Sequence, residues 1–281
     1  MTTPSPSAFD PQAFEGTAEY YAVGRPPYSS QLAGTMEREL ALDGTGHLVD
    51  VGCGPGVLTL ALAQLFDQVT GIDPEPGMLE VGRRRCQEAG IVNVRWVQAV
   101  ADDIATANLV APRVVTFGQS FHRVSQVGVA EAVYDLLVPG GSLVLISHGG
   151  GDSRPRPTGP GYPEVPHAAV TNLVLDYLGD PTRTYLATWN EGQPTRFEDA
   201  LSQTRFGGSR TIYAPARPDL IRDVDAVVAN CFSMSYSAPR WFGDRRADFE
   251  ANLRRLLYAH SPDGLFWEWP GDTELVIATK T

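Results

Sequence analysis

The first pattern along the chain is an alternation of short apolar runs with longer amphipathic stretches between residues 47 and 148. Short apolar runs predict buried strands, and the longer stretches predict helices. This alternation is typical of a parallel sheet whose strands are joined by crossover helices. The pattern predicts helices at 58–66 and 129–137 and strands at 47–51, 68–73, 94–98, 114–117 and 142–147.

The pattern changes after the fifth predicted strand. Residues 149–161 are rich in Gly, Pro, Ser and Arg, which indicates a linker, and 162–262 show mostly helical periodicity. Near the end, the runs 265–269 and 274–279 flank a Pro-Gly-Asp turn and predict a hairpin that closes the sheet with one antiparallel strand. We expect a core formed by 1–148 and 263–281, and a mainly helical cap or substrate-binding insert at 149–262.

Composition and charge narrow the class of protein. The 281 residues are 43% hydrophobic and 20% charged, as in globular chains, and 22 basic against 33 acidic residues give a net charge of −11. This charge disfavours binding to nucleic acids and to anionic membranes. We find no secretion signal or membrane-spanning apolar run, and Cys53, Cys86 and Cys231 are too scattered for a disulfide framework or zinc site. We therefore expect a soluble, cytoplasmic protein.

The strongest local signal is the run V-D-V-G-C-G-P-G at residues 49–56, between the first predicted strand and the first predicted helix. Glycines here let the backbone turn tightly and approach a ligand at the carboxyl edge of the sheet. A dinucleotide fingerprint starting at Gly52 requires glycine at position 57, where the chain has Val57. The spacing therefore disfavours an NAD site and a dehydrogenase. Asp73, at the tip of the second predicted strand, is placed to accept hydrogen bonds from ribose hydroxyls.

Three motifs in order carry a more specific resemblance: D-V-G-C-G-P-G, then G-I-D-P-E-P-G-M-L, then A-D-D-I after the third strand. In this order they resemble class I S-adenosylmethionine-dependent methyltransferases. The opening runs A-E-Y-Y and G-R-P-P-Y, with F-W-E-W and L-V-I-A-T-K at the end, are similar to small-molecule enzymes related to trans-aconitate methyltransferase. The resemblance covers about 20–148 and 265–281. It implies a Rossmann-like, seven-stranded, mostly parallel α/β sheet with a terminal antiparallel strand and a mainly helical cap insert.

The resemblance also implies S-adenosylmethionine as the cofactor, S-adenosylhomocysteine as its product, and a set of residues that would bind the cofactor. Asp50, Gly52 and Gly54 would hold the methionine end of the cofactor, and Asp73 would bind the ribose. Arg25 would pair with the cofactor carboxylate through its planar fork. The other implied cofactor residues are Tyr21 in the opening motif, Met78 on the adenine face, Ala101 and Asp102 at the adenine amino group, and Gly118 and Gln119 along the methionine.

Three of these residues also have an ordinary structural explanation. Arg25 could form a surface ion pair, Met78 could fill the core, and Asp102 could be a solvated carboxylate.

Catalytic side chains are expected after the fourth and fifth predicted strands. Methyl transfer from a sulfonium is an in-line displacement, so a general base is needed only when the acceptor must lose a proton. His122 is the first candidate for a base or acceptor-orienting group, and His148 is the second; either could instead cap backbone groups or hold a loop. Arg123 stands where relatives often have tryptophan and suggests an anionic acceptor. The activity of Arg123→Ala on an anionic and a neutral acceptor tests that idea.

The insert is rich in aromatic residues, which over a cofactor cleft would suit an apolar acceptor, although most of these rings would serve equally as core. They are Tyr162, Trp189, Tyr213, Tyr236, Trp241 and Phe242. His167 and His260 are too isolated for a metal site, and no paired-cysteine or H-E-x-x-H spacing occurs. We expect no metal dependence, although an acidic cluster assembled by the fold could bind Mg²⁺.

Two classes of function remain open. The first is methyl transfer to a small molecule, by O- or N-methylation of a secondary metabolite or by esterification of a carboxylate. The second is a cofactor-binding protein of the same fold that transfers no methyl group or uses the bound cofactor to shape a pocket for another reaction. The net charge opposes a nucleic-acid methyltransferase. We expect a monomer or a homodimer.

Overall fold

A computed structural model describes residues 13–149, 156–179 and 196–281. Its strands are β1 (His47–Val51), β2 (Gln68–Asp73), β3 (Val94–Gln98), β4 (Val114–Gly118), β5 (Ser142–His148), β6 (Arg210–Ala214), β7 (Ile221–Asp223), β8 (Leu265–Trp267) and β9 (Thr273–Thr279). Its α-helices are α1 (Ala18–Gly24), α2 (Leu32–Glu39), α3 (Val57–Leu62), α4 (Pro76–Glu88), α5 (Gln126–Leu136), α6 (His167–Leu178), α7 (Phe197–Ser202), α8 (Val224–Phe232) and α9 (Arg246–His260). Short 3₁₀ segments are Ala63–Leu65, Ala101–Thr106, Phe121–Arg123, Ser235–Ser237 and Pro239–Arg245.

The predicted strands in the first half of the chain are confirmed. β1, β2 and β3 have the predicted bounds, and β4 and β5 each extend one residue further. All five residues of β1 are buried, as expected for a parallel strand covered on both faces. The predicted helix at 58–66 is α3 followed by a 3₁₀ turn, and the one at 129–137 is α5, which begins earlier at Gln126.

The seven-stranded sheet has the order β3-β2-β1-β4-β5-β9-β6. β1 pairs in parallel with β2 and β4, β2 with β3, and β4 with β5, whereas β9 runs antiparallel to both β5 and β6. This confirms the mostly parallel sheet with a terminal antiparallel strand. The strand order reverses between β1 and β4, so the carboxyl ends of these two strands form the edge where open α/β sheets bind ligands.

The predicted terminal hairpin is wrong. β8 pairs with β7 in a separate two-stranded sheet, with Ile221 opposite Trp267. β9 cannot pair with β8 because both of its edges are already occupied, by β5 and by β6. β6 itself was not predicted, because most of its residues are exposed or half-buried and give little apolar pattern.

The chain forms two compact units. Among the described residues, the sheet unit comprises 28–149, 196–215 and 271–281, and the other, the helical unit, comprises 13–27, 156–179 and 216–270. The predicted division differs at three segments: 196–215 lies with the sheet because β6 pairs with β9, whereas 13–27 and 263–270 lie in the helical unit. There α1 packs on α8, and β8 pairs with β7.

Each unit has its own apolar core. One face of the seven-stranded sheet packs against α5, with Phe117 and Val133 in that cluster. The other face packs against α2 and α3, through residues such as Met36 and Leu58. In the helical unit, α6, α8 and α9 share a separate core in which Phe249 is fully buried.

Candidate functional site

A loop of left-handed glycines follows β1 at the carboxyl edge of the sheet. Gly52, Gly54 and Gly56 have φ values of 63°, 53° and 76°. Residues with a Cβ rarely adopt this conformation, and a Cβ on Gly52 would also lie only 2.6 Å from Cβ of Ser120. The loop therefore requires glycine, and its backbone has no side chains at these positions to keep a ligand at a distance. This is the geometry that the motif at 49–56 predicts.

Asp73 ends β2 beside this loop. Its Oδ2 accepts a hydrogen bond from the Gly54 amide at 2.8 Å, and its Oδ1 accepts one from the Glu75 amide at 3.0 Å. The residue is 8% exposed, and burial raises its pKa to about 6, although the two amide hydrogen bonds act in the opposite direction. An ionised carboxylate has about four acceptor positions, so these amides leave capacity for further donors such as a pair of hydroxyls.

Asp50 lies deeper, one residue before the end of β1. Its Oδ2 accepts a hydrogen bond from the Thr59 hydroxyl at 2.6 Å, and its Oδ1 accepts one from the Thr116 hydroxyl at 2.9 Å. Only 1% of the residue is exposed, and burial raises its pKa to about 6. The Asp50 carboxylate thus joins β1 to α3 and β4. This arrangement favours an indirect role, in which Asp50 holds the glycine loop in place.

The segment after β4 completes this edge. Gln119 has a φ of 54°, which is unusual for a residue with a side chain, and its amide donates to the Ile146 carbonyl at 2.9 Å. The Ser120 hydroxyl donates to the Val51 carbonyl at 2.8 Å, so it ties this segment to the start of the glycine loop. Ser120 therefore lies beside Gly52, and the contact of Gly118 and Gln119 with the cofactor methionine stays a prediction.

The sequence analysis missed the hydroxyl groups that hold this edge together. Thr116 stands opposite Asp50 in the β1–β4 register, which the sequence alone does not give. Thr59 lies in the first turn after the glycine loop, where a hydroxyl can reach back to the preceding strand. Ser120 has no distinctive sequence signal, because its partner is a backbone carbonyl.

The residues expected around an adenine lie after β2 and β3. Met78 is 2% exposed in α4. The Ala99 amide donates to the Asp73 carbonyl at 3.3 Å, so the segment after β3 lies next to the end of β2. That segment leads into the 3₁₀ turn Ala101–Thr106, in which Ala101 is half-buried and Asp102 is exposed. Their contacts with a cofactor stay a prediction.

The two candidate histidines both lie at the carboxyl edge of the sheet. His122 lies in the 3₁₀ turn after β4, next to Arg123, and His148 is the last residue of β5. The His148 ring stacks on the Tyr28 ring with a centroid distance of 5.0 Å and an angle of 20° between the planes. All three candidate side chains are half-buried. Their roles in catalysis stay predictions.

Comparison with known proteins identifies the part of the chain that contains this site. Residues 48–141 match the family model described as a methyltransferase domain. Residues 48–141 therefore form a methyltransferase domain. The matched range contains the glycine loop, Asp50 and Asp73, and it ends before β5.

Curated relatives of this methyltransferase domain include the methyltransferase cfoB of Aspergillus candidus, 30% identical over 152 residues, which are 51% of this chain and 46% of that protein. A ubiquinone biosynthesis O-methyltransferase of Ruegeria pomeroyi is 30% identical over 40% of this chain and 46% of that protein. The chain thus spans about half the length of these relatives. Among solved structures, the YcgJ protein of Bacillus subtilis is 17% identical, with a TM-score of 0.47 over 88% of this chain and 97% of that chain.

Tyr21 and Arg25 belong to the helical unit and not to the sheet unit that carries the methyltransferase domain. The Arg25 guanidinium lies 4.6 Å from the centre of the Tyr21 ring, and its Nη2 donates to the Ser233 carbonyl at 3.1 Å. These contacts show how Arg25 is held within its own unit. Its expected pairing with the cofactor carboxylate stays a prediction.

The aromatic residues of the predicted insert fall in different places. Phe242 is 3% exposed and stacks on Phe249 with centroids 4.0 Å apart, so it is a core residue. Tyr236 is half-buried in the helical unit, where Tyr162 and Trp241 are partly exposed; Tyr213 lies in β6. Trp189 lies outside the described residues. An acceptor contact by any of these rings stays a prediction.

The remaining findings concern metals and membranes. Within the parts of the chain that the structure describes, no group of three or more His, Cys, Asp or Glu side chains could hold a metal ion. His167 lies 3.4 Å from a Glu268 oxygen, and His260 Nδ1 bonds the Leu256 carbonyl. None of the helices described by the structure combines the length and apolar character needed to cross a membrane. Metal independence and a cytoplasmic location stay predictions.

Proposed function

We propose that the protein transfers the methyl group of S-adenosylmethionine to a small-molecule acceptor, by O- or N-methylation of a secondary metabolite or by esterification of a carboxylate. The observation that carries the proposal is the contact between the Asp73 carboxylate and the Gly54 amide at the carboxyl edge of the methyltransferase domain. The contact supports the proposal because a carboxylate that can accept further hydrogen bonds lies directly beside a loop of glycines, as binding of a ribose and of the rest of the cofactor would require.

The residues at this edge fit the cofactor. Asp73 retains acceptor capacity after its two amide hydrogen bonds, and it sits at the tip of β2, where this fold binds a ribose. A Cβ on Gly52 would fill the space between the loop and Ser120. This position therefore requires a residue without a side chain. We assign Asp50 to positioning the loop, because both of its oxygens are engaged by hydroxyl groups.

When bound, S-adenosylmethionine supplies a methyl group on a sulfonium, which the lone pair of an acceptor displaces in line. The protein then has to orient the acceptor, exclude water and, for a hydroxyl or ammonium acceptor, remove one proton. We assign the proton transfer or the orientation of the acceptor to His122 or His148. Arg123 beside His122 would favour an anionic acceptor. The relation to trans-aconitate methyltransferase belongs to the same proposal.

The first experiment is a calorimetric titration of the purified protein with S-adenosylmethionine, S-adenosylhomocysteine and, for comparison, NAD. We expect one-to-one binding of both sulfur ligands and none of NAD. Asp73→Ala and Asp73→Asn should weaken binding at least tenfold, because each removes charge-assisted hydrogen bonds worth about 1.5–3 kcal/mol. Asp67→Ala is the matched control, because Asp67 lies just before β2 at its other end, is exposed and bonds the Gly46 amide at 3.0 Å.

Two outcomes would contradict the proposal. A folded wild-type protein that binds neither sulfur ligand would exclude the cofactor. Binding without formation of S-adenosylhomocysteine, across a panel of hydroxyl, amine and carboxylate acceptors, would favour the alternative of a cofactor-binding protein that does not transfer methyl groups.

A further inference from the structure

Tyr28 contacts the ends of two neighbouring strands at the proposed transfer site. Its ring stacks on His148, the last residue of β5, with centroids 5.0 Å apart and planes inclined by 20°. Its hydroxyl lies over Gly118, the last residue of β4, because a Cβ on Gly118 would be 3.0 Å from Tyr28 Oη. One side chain therefore covers both Gly118, which is expected to line the cofactor, and a candidate catalytic histidine.

The next residue holds Tyr28 in this position. Ser29 is 7% exposed, and its amide donates to the Thr273 hydroxyl at 2.7 Å. The Ser29 hydroxyl donates to the Pro215 carbonyl at 2.5 Å, and Thr273 is fully buried at the start of β9. These bonds fix the backbone next to Tyr28 to the segment after β6 and to β9. The position of the Tyr28 ring is thus fixed by hydrogen bonds between the neighbouring backbone and the sheet.

Gly118 is adapted to this arrangement. A side chain there would collide with Leu58 on one side and meet the Tyr28 hydroxyl on the other. Only glycine leaves room for a phenol at the end of β4, next to Gln119, which has a positive φ. A phenol combines a large apolar face with one hydroxyl that can both donate and accept. The face meets the His148 imidazole, and the hydroxyl lies over Gly118 at the end of β4.

We propose that Tyr28 is a positioning residue of the transfer site. Its ring restricts rotation of the His148 imidazole, so that the ring nitrogens point in a constant direction, and its hydroxyl forms the wall of the cofactor site beside Gly118. The inference rests on the proposed function, because it assumes that the cofactor methionine lies along Gly118 and Gln119. It assigns a role to the last residue of the opening G-R-P-P-Y motif.

The test compares Tyr28→Phe with Tyr28→Leu in the full chain. Calorimetry measures the affinity for S-adenosylhomocysteine, and NMR of histidine-labelled protein follows the His148 imidazole signal, which His148→Gln identifies. Tyr28→Phe keeps the stacked ring, so the His148 signal should stay in place while the affinity falls about three- to tenfold, because the polar wall of the site beside Gly118 is lost. Tyr28→Leu should move the His148 signal and weaken binding more than tenfold.

The controls separate this inference from the proposed function. Tyr258→Phe and Tyr258→Leu change a tyrosine in α9 that is 51% exposed, and both should bind like wild type. Thermal unfolding shows whether each variant is folded. If wild type binds S-adenosylhomocysteine and both folded Tyr28 variants bind it equally well, the inference fails and the proposed function stands. If the His148 signal does not move in Tyr28→Leu, the positioning of the imidazole is refuted. If wild type does not bind, both fail.

Discussion

Two buried carboxylates, Asp50 and Asp73, stand within the methyltransferase domain at the ends of adjacent strands. Burial raises the pKa of each to about 6, because the charged form loses its hydration. The two differ in their partners: Asp50 receives hydroxyl groups on both oxygens, whereas Asp73 receives backbone amides. The same chemical group therefore serves as a structural link in one strand and as a candidate ligand group in the next.

The raised pKa of Asp50 predicts a pH-dependent stability. A carboxyl with a folded-state pKa above its unfolded value of 3.8 favours folding when protonated, and this contribution is lost as the pH rises from about 4 through 6. The rise to about 6 corresponds to roughly 3 kcal/mol. Relative to Asp50→Asn, which does not titrate, wild type should therefore lose up to about that much unfolding free energy between pH 4 and 7. Urea unfolding at several pH values measures the difference.

Asp43, also in the sheet unit, provides a control whose contribution to stability changes with pH in the opposite direction. Hydrogen bonds from Thr45 and Arg113 lower the pKa of exposed Asp43 to about 2. Its contribution should be present above pH 4 and be lost as the pH falls towards 2, so Asp43→Asn should give a difference of the reverse slope at lower pH. Parallel stability curves for wild type and Asp50→Asn would show that the Asp50 carboxyl is not desolvated in the fold.

At the scale of elements, Trp96 in β3 holds the glycine loop, β2 and α4 together. A Cβ on Gly56 or on Gly82 would lie 2.6 Å from Trp96 Cη2, and one on Gly71 would lie 2.8 Å from the same ring. Three glycines from three different elements therefore contact a single indole. The packing sets how closely α4 and the last glycine of the glycine loop approach the sheet.

This packing predicts the effect of a single added methyl group. Gly82→Ala should destabilise the protein by about 1–3 kcal/mol, because the new Cβ overlaps a ring that is enclosed on several sides. Trp96→Leu in the same background should restore part of that loss, since the smaller side chain leaves room. Gly34→Ala is the matched control: this helical glycine has only the end of Arg38 nearby, at 3.8 Å, so alanine should stabilise by about 0.5–1 kcal/mol. Additive effects of the Gly82 and Trp96 changes would contradict the contact.

At the scale of the whole molecule, the end of the chain completes the sheet. β9 lies between β5 and β6, so the central strands gain their last neighbour from residues 273–279. β5 and β9 are separated by more than a hundred residues of sequence. Bringing the two strands together costs conformational entropy, and the strand contacts that offset this cost form only afterwards. The stability of the methyltransferase domain therefore depends on residues outside the range that matches its family model.

A charge in β9 should consequently disrupt the whole sheet unit. Val276 is 1% exposed, and Val276→Asp places an unpaired carboxylate in the core, at a cost of several kcal/mol. We expect loss of the cooperative thermal transition seen by circular dichroism. Thr281→Asp adds the same charge at an exposed position after β9 and should leave the transition unchanged. A normal transition for Val276→Asp would show that the sheet forms without this strand.

Local sequence was sufficient wherever neighbouring residues decide the structure. Strands β1, β2 and β3 have the bounds that the apolar runs predict, and the left-handed φ values occur at the glycines of the motif at 49–56. The placement of Asp73 at the tip of β2 followed from the same local pattern. Periodicity and glycine chemistry act over a few residues, so one sequence suffices to reveal them.

The tertiary structure decided what depends on distant partners. β6 joins the sheet although its own pattern is weak, and β8 pairs with β7 although the chain leads directly from β8 to β9. The convergence of Thr59 and Thr116 on Asp50, and of Tyr28 on His148, also joins segments far apart in sequence. The sequence by itself determined strands β1 to β5, two helices of the domain and the chemistry of its loop. Which strands pair, and which side chains meet at the carboxyl edge, depends on long-range packing, because those free energies arise only when the folded chain brings both partners together.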